Sequence, residues 1–235
     1  LPENQTAKSI VWADHNVYVG TVDVPATVYK IDADAMSITA NITLAADGNL
    51  YTAMTDGRES IASYVFFATD TAPAKIVRIN IASFTQDISL TLSAGDDHAR
   101  SLIKDRTTGT ILFLKLASSP TRVAKFTYNA GAVTQSGSTL VLSSSENGGP
   151  RGFGQDDSYL YLTTDAPSFL VKVDKSSMTR LSAISLLQDT RTAATTAFTV
   201  DTQKGYIYCF INTAPLRMAR VRLSDFKLVD AVISP

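Results

Sequence analysis

The chain has 235 residues, 45% of them hydrophobic, which is long enough for a sizeable buried core. Its 21 basic and 22 acidic residues give a net charge of −1, so no overall positive field favours nucleic acid or an anionic membrane surface. One cysteine excludes an internal disulfide, and the apolar runs are far shorter than the roughly 18–20 residues that span a bilayer, which excludes membrane insertion.

The same pattern of elements recurs five times along the chain. Each repeat begins with a strand that ends near an aspartate: Asp14, Asp56, Asp105, Asp156 and Asp201. Next comes a strand centred on an aromatic residue: Tyr18, Phe66, Phe113, Tyr161 and Tyr208. A proline follows, and the prolines are 47 or 48 residues apart: Pro25, Pro73, Pro120, Pro167 and Pro215. A strand with a basic residue and an alternating outer strand complete each repeat.

These elements predict an all-β protein. The runs are short, rich in β-branched and aromatic residues, and separated by turn residues. Four strands in a repeat of about 47 residues are typical of a β-propeller blade. We therefore predict a single domain, a five-bladed β-propeller with four antiparallel strands per blade. The predicted blades are approximately 6–46, 47–94, 95–143, 144–188 and 189–235, and five blades of a longer array remain the alternative.

The segment from Tyr18 through Ile31-Asp32 to Ile42-Thr43-Leu44 resembles the YVTN-type propeller repeats of microbial surface proteins. In that family a Tyr-Val strand, a Val-x-x-Ile-Asp strand and an alternating outer strand follow one another. The chain departs from the pattern, since Tyr18-Val19-Gly20-Thr21 lacks the asparagine and the Pro-Asp-Gly turn is at most Thr55-Asp56-Gly57. The resemblance implies a propeller fold and a surface or secreted setting, and it brings no common catalytic residues.

Two N-x-[ST] sequons begin at Asn4 and Asn41. Asn4 lies near the start of the sequence and Asn41 on a predicted outermost strand, where a glycan would be tolerated. Together with the resemblance, they predict an extracellular or cell-surface glycoprotein. No signal peptide is visible, and we take it to have been removed.

The loops that enter the first strand of each blade are the predicted binding face, because such loops converge around the axis of a propeller. The candidate ligand-binding residues in and beside these loops are Asn49, Tyr51, Asp97, His98, Arg100, Asn147, Arg151 and Arg191. The competing interpretation is that these loops are ordinary polar loops and that the arginines brace neighbouring blades.

The basic residue five positions after each proline is the most regular polar feature: Lys30, Arg78, Lys125, Lys172 and Arg220. These residues could form an anion-binding ring. Alternatively, each could pack its stem between blades and meet a nearby acid, with Asp32, Asp70 and Asp165 as possible partners. Repetition in every blade favours the structural interpretation.

Catalysis has little support in the sequence. His98 beside Asp96 and Asp97 could be an acid–base pair, but no Gly-x-Ser-x-Gly nucleophile motif accompanies it. Two histidines and one cysteine cannot form a zinc set, and no cofactor is expected. The prediction is therefore a non-catalytic module that binds a protein or glycan partner or assembles with itself. The alternatives are a lectin that uses the interblade loops, and a hydrolase or lyase with a pocket around His98.

Overall fold

The computed structural model describes residues 2–57, 62–147, 152–165, 168–187 and 195–233. These residues form five antiparallel β-sheets and contain no helix, so the predicted all-β class is confirmed. No helix with the length and apolar character needed to cross a membrane is found in this part of the chain.

The strands of each sheet follow one another in chain order. The first sheet contains β1 (Ala7–Ala13), β2 (Asn16–Thr21), β3 (Ala26–Asp32) and β4 (Ser37–Leu44). The second contains β5 (Leu50–Thr55), β6 (Tyr64–Thr69), β7 (Lys75–Asn80) and β8 (Thr85–Thr91). The third contains β9 (Ala99–Lys104), β10 (Ile111–Leu116), β11 (Arg122–Tyr128), β12 (Val133–Gln135) and β13 (Leu140–Val141). The fourth contains β14 (Phe153–Gln155), β15 (Tyr159–Thr163), β16 (Phe169–Asp174) and β17 (Thr179–Ser185). The fifth contains β18 (Thr195–Asp201), β19 (Tyr206–Ile211), β20 (Arg217–Arg222) and β21 (Lys227–Ile233).

The third sheet departs from the predicted four strands. Its outer edge is formed by two short strands, β12 and β13, which both pair with β11. Gly137, between them, has a φ of 76°, a left-handed conformation that ends a strand. The outer strand of this repeat is therefore interrupted, and the sheet has five strands.

The chain divides into two compact units, Leu1–Leu116 with Ala124–Gly137, and Ala117–Val123 with Ser138–Pro235. In the first unit, one buried cluster joins the first and second sheets and another joins the second and third. In the second unit, a buried cluster joins the fourth and fifth sheets. The middle strands are buried on both faces, as Phe66 and Phe67 show, which explains their continuous apolar runs.

The base after the proline has a structural role in the second sheet. Arg78 is only 1% exposed. Its Nε and Nη2 donate to the Asp87 carboxylate at 3.0 and 2.9 Å. Its Nη1 and Nη2 donate to the backbone oxygens of Asn129 and Ala130 at 2.5 and 2.8 Å, and the guanidinium lies 4.1 Å from the Tyr64 ring centre. The acid partner of Arg78 is therefore Asp87. The partners expected from the sequence were Asp32, Asp70 and Asp165, so that prediction is wrong for Arg78.

A cation over an aromatic ring of the preceding strand recurs in the second unit. The two examples are Lys172 over Tyr159 at 3.7 Å and Arg220 over Tyr206 at 5.0 Å. Since the interaction is repeated in separate sheets, it belongs to the construction of the repeat.

A buried acidic residue lies in the turn that follows each of the first three sheets. The three acids, each at most 2% exposed, are Asp47, Asp96 and Glu146. Their backbone oxygens accept hydrogen bonds from the residues that follow Pro25, Pro73 and Pro120. In the second unit the Glu146 carboxylate also accepts from Nε and Nη2 of Arg180 at 2.6–3.0 Å. The acid therefore ties its turn to the proline loop, a role that the sequence pattern did not reveal.

We expect Glu146→Gln to destabilise the protein in a pH-dependent way. Burial tends to raise the pKa of Glu146, but hydrogen bonds from Arg180 and Ser143 outweigh this effect and lower it. A depressed carboxyl pKa stabilises the fold above the unfolded-state pKa, and this contribution is lost as the pH falls through the folded-state pKa. Urea unfolding at pH 7 should show a loss of about 1–2 kcal/mol. At pH 3 the difference should shrink, and the exposed Glu3→Gln control should show neither effect. A loss of equal size at both pH values would contradict the ion-pair explanation.

Both predicted glycosylation positions are exposed. Asn4 lies in a turn before β1, and Asn41 lies on β4, the outer strand of the first sheet. Their modification stays a prediction.

Candidate functional site

Two residues at the start of neighbouring strands have a left-handed backbone. Asn49, just before β5, has a φ of 54°, and His98, just before β9, has a φ of 59°. Asparagine and histidine are among the residues that tolerate this conformation. Their amides donate to the backbone oxygens of Asp23 and Thr71 at 3.3 and 2.9 Å. The loop backbone therefore fixes where both side chains emerge.

A β-bulge lies at the beginning of β1, β5 and β9, which are the first strands of the first three sheets. The register between paired strands skips one residue in β1, β5 and β9, and the extra residues are Lys8, Tyr51 and Arg100. A bulged residue is unpaired in the ladder, and bulges redirect side chains and are frequent next to active sites. In the sequence, each is followed by a hydroxyl residue: Ser9, Thr52 and Ser101.

Asp70, directly after β6, connects His98 with Arg100. One carboxylate oxygen lies 2.7 Å from Nδ1 of His98, and the other forms an ion pair with Nη1 of Arg100. The backbone of Asp70 is held as well, because its amide donates to the oxygen of Asn49 at 2.9 Å and its oxygen accepts from Nδ2 of Asn49 at 2.8 Å. Asp70 is thus fixed in position and shared by His98 and Arg100.

This arrangement determines the tautomer of His98. An ionised carboxylate only accepts hydrogen bonds, so Nδ1 must carry the proton and donate it to Asp70. In the neutral imidazole, Nε2 then has a free lone pair. No described residue hydrogen bonds with Nε2, and the side chain is 47% exposed. His98 can therefore accept a proton from a bound molecule.

Two cations lie against the ring of Tyr51. The Lys8 ammonium is 4.8 Å and the Arg100 guanidinium 4.5 Å from the centre of its ring. Cations over an aromatic face are attracted by the ring quadrupole. Lys8, Tyr51, Asn49, Asp70, His98 and Arg100 make up one polar surface of the first unit, which we call the His98 cluster.

The structure brings together four of the eight predicted ligand-binding residues: Asn49, Tyr51, His98 and Arg100. It adds Lys8 and Asp70, which sequence reasoning missed as site residues. The suggested pairing of His98 with Asp96 or Asp97 is wrong. The Asp96 side chain is 2% exposed and its backbone closes the turn, while the hydrogen bonds and ion pairs of His98 do not involve Asp97.

The remaining predicted ligand-binding residues do not belong to the His98 cluster as described. Asn147 belongs to the second unit, where its Oδ1 accepts from Ser119 at 3.3 Å and its backbone oxygen accepts from the amide of Asp165 at 3.1 Å. Arg151 and Arg191 lie outside the described residues.

A second polar region lies at the opposite end of β5 and β9. A cavity of about 570 Å³ is lined by Thr55–Gly57 and Lys104–Gly109. The Lys104 ammonium donates to the backbone oxygen of Asp56 there. Asp105 is buried and accepts from the hydroxyls of Thr107 and Thr108 at 2.7 and 2.8 Å, so its carboxylate closes its own turn. No described histidine lines this cavity, and the described residues contain no group of three or more potential metal-binding side chains.

Comparison with known proteins identifies a solved structure with a similar fold but no family. No protein-family model and no curated protein matches the chain. Among solved structures it is similar to a putative 6-phosphogluconolactonase from Bacteroides uniformis, with a TM-score of 0.73 and 14% sequence identity. The match covers 96% of this chain and 71% of that protein. At this identity the likeness shows the fold that the two chains share.

The comparison contradicts the prediction that the chain is not an enzyme. The protein that shares its fold is named as a lactonase, which is a hydrolase. The prediction relied on the missing nucleophile motif. Hydrolysis by an activated water needs no serine nucleophile, only a base that is positioned to take a proton. The sequence did not reveal the Asp70–His98 pair, in which Nδ1 of His98 lies 2.7 Å from the carboxylate.

Proposed function

We propose that the chain is a hydrolase that opens a lactone or a comparable ester, with His98 as the general base. The observation that carries the proposal is the 2.7 Å contact between Nδ1 of His98 and Asp70, which leaves Nε2 as a proton acceptor at the surface. The named activity of the protein with the same fold supports the choice of a lactone.

In this mechanism Nε2 of His98 takes a proton from a water molecule while the water oxygen attacks the carbonyl carbon. Asp70 keeps Nδ1 protonated and stabilises the imidazolium that forms. Arg100 holds Asp70 in place from its other oxygen. The ring C–O bond then breaks, and the proton on Nε2 passes to the leaving alkoxide. The net reaction adds one water, and His98 returns to its neutral form.

The test measures hydrolysis of glucono-δ-lactone with the purified protein by pH-stat. We expect His98→Gln to lower kcat/KM by about 100-fold, the lower range for loss of a general base. Asp70→Asn should also reduce the rate, because the amide can no longer fix the tautomer. His15→Gln, at the other histidine, is the matched control and should keep wild-type turnover. Circular dichroism should show all variants folded. Equal turnover by wild-type and His98→Gln protein would refute the role of His98.

We also propose that the five sheets are blades of one β-propeller and that the chain is a YVTN-type repeat protein. The support is the repeat itself: each sheet begins anew after a turn, and equivalent aromatic residues and bases occupy equivalent strands, with a proline between them in the sequence. Small-angle scattering from the purified protein tests this proposal. A disc-shaped particle is expected, and an extended one would exclude a closed propeller.

A surface or secreted setting, with a protein or glycan partner, stays a proposal as well. It rests on the exposed sequons at Asn4 and Asn41 and on the repeat resemblance. Intact mass of the native protein should show added glycan at these positions, and an unmodified mass would leave the setting without support.

A further inference from the structure

One backbone hydrogen bond recurs between the loop that enters the first strand of a sheet and a residue just after the second strand. The amide of the later residue donates to the backbone oxygen of the earlier one at 2.9–3.1 Å. In three sheets this bond joins Val22 to Thr6, Asp70 to Asn49 and Asp165 to Asn147. Because it is repeated in separate sheets, the bond belongs to the construction of the repeat.

The side chain of Asn49 adds a second bond in the second sheet. Its Nδ2 donates to the backbone oxygen of Asp70 at 2.8 Å, so one residue holds Asp70 at both its amide and its oxygen. In the fourth sheet, Nδ2 of Asn147 donates instead to the backbone oxygen of Ser144 at 2.7 Å. The fourth sheet therefore keeps the backbone bond while this side chain serves its own loop. The side-chain bond to Asp70 is thus a feature of the His98 cluster and not of the repeat.

Holding both groups fixes the direction of the Asp70 side chain. The amide and the oxygen of Asp70 belong to the two rigid peptide planes that flank its Cα atom. With both planes bound to Asn49, the Cα–Cβ bond points in one direction, and the carboxylate lies 2.7 Å from Nδ1 of His98. The amide of His98 donates to the backbone oxygen of Thr71 at 2.9 Å, which fixes the other end of this contact.

We propose that Asn49 is a positioning residue for His98. Through Asp70 it keeps the proton of the neutral imidazole on Nδ1, and it thereby leaves Nε2 as the proton acceptor. Its effect on turnover rests on the proposed function, whereas its effect on the tautomer does not.

Nitrogen-15 NMR of the His98 imidazole at about pH 9, where histidine side chains are neutral, measures the tautomer. A spectrum of His15→Gln protein assigns the His98 signals. Asn49→Gly removes the amide, and glycine readily adopts the φ of 54° at this position. We expect the ratio of the Nε2–H form to the Nδ1–H form to rise about fivefold, the effect of one lost hydrogen bond. An unchanged ratio would overturn the proposal, as would a wild-type His98 that favours Nε2–H.

Two further variants separate positioning from folding. Asn147→Gly is the matched control, because it removes an asparagine side chain that bonds Ser144 and Ser119 in the second unit, and it should keep the wild-type tautomer ratio. Asn49→Asp tolerates the left-handed backbone, but its carboxylate cannot donate to the Asp70 oxygen. It should shift the ratio in the same direction as Asn49→Gly, and it replaces that variant if the glycine protein does not fold. A shift of equal size in Asn147→Gly would refute the role of Asn49.

Turnover of glucono-δ-lactone distinguishes this inference from the proposed function. We expect Asn49→Gly to lower kcat about tenfold with KM unchanged, because a misplaced base loses rate without losing substrate binding. Asn147→Gly should keep the wild-type kcat. If His98→Gln lowers turnover but Asn49→Gly changes neither kcat nor the tautomer, the hydrolase stands and the positioning role fails. If Asn49→Gly shifts the tautomer but the wild type hydrolyses no lactone, the positioning role stands and the hydrolase fails.

Discussion

Replacing Arg78 with methionine is expected to lower the free energy of unfolding by about 2–3 kcal/mol, the upper range for losing hydrogen bonds to a charged group. Methionine keeps the apolar stem and removes the guanidinium. The Asp87 carboxylate and the backbone oxygens of Asn129 and Ala130 would lose their donors at once. The loss should exceed that of a surface ion pair because Arg78 itself is 1% exposed. The Asp87 side chain is 29% exposed, so water can reach this partner, and the loss should stay below that of a fully buried pair.

Urea unfolding followed by circular dichroism measures this change. The matched control is Arg222→Met, which removes an arginine with the same two-bond geometry to Asp225 at 3.0 Å. That pair is exposed on both sides, so its removal should have a much smaller effect. If the two variants lost the same stability, burial could not be the reason for the importance of Arg78.

The repeat could be predicted from the sequence because its markers are local. An aromatic residue, a proline and a base at constant spacing identify two successive strands, and the observed β2–β3 and β6–β7 pairs lie at those positions. The interruption at Gly137 was missed, because Ser136-Gly137-Ser138 is a turn signal of the kind that also separates whole strands. The sequence does not show that the segments on both sides of it pair with β11. The bulges were also hidden, because one extra residue alters pairing without changing the residue types.

The His98 cluster was only half predictable for a related reason. Asn49, Tyr51, His98 and Arg100 lie in the loops that enter inner strands, and their polarity stands out in the sequence. Asp70 is 28 residues from His98 and belongs to a different loop. Its contact with His98 exists only because the end of β6 lies beside the start of β9. Asp96 and Asp97 are nearer in sequence, but the turn directs Asp96 into the protein interior.

Gly20→Ala is the second substitution from which we expect a large loss, about 2–3 kcal/mol, the usual upper range for overpacking a close-packed core. A Cβ atom at Gly20 would lie 2.6 Å from Ser9 Oγ, 2.9 Å from Leu50 Cβ and 2.9 Å from Phe67 Cε1. Ser9 also donates to the backbone oxygen of Leu50 at 2.8 Å. Displacing Ser9 would therefore break a bond that joins β1 to β5, and Leu50 Cβ cannot move without its backbone.

Gly131→Ala is the matched control, because the single atom within 4 Å of its added Cβ is Asn129 Oδ1 at 3.7 Å. Where alanine fits without strain it stabilises slightly, by about 0.4–1 kcal/mol, since it restricts the unfolded chain. Urea midpoints should therefore fall for Gly20→Ala and stay or rise for Gly131→Ala. An unchanged midpoint for Gly20→Ala would mean that β1 and β5 can separate at no cost. The close approach of these two inner strands, which places the Lys8 ammonium 4.8 Å from the Tyr51 ring centre, would then not depend on the space that Gly20 leaves.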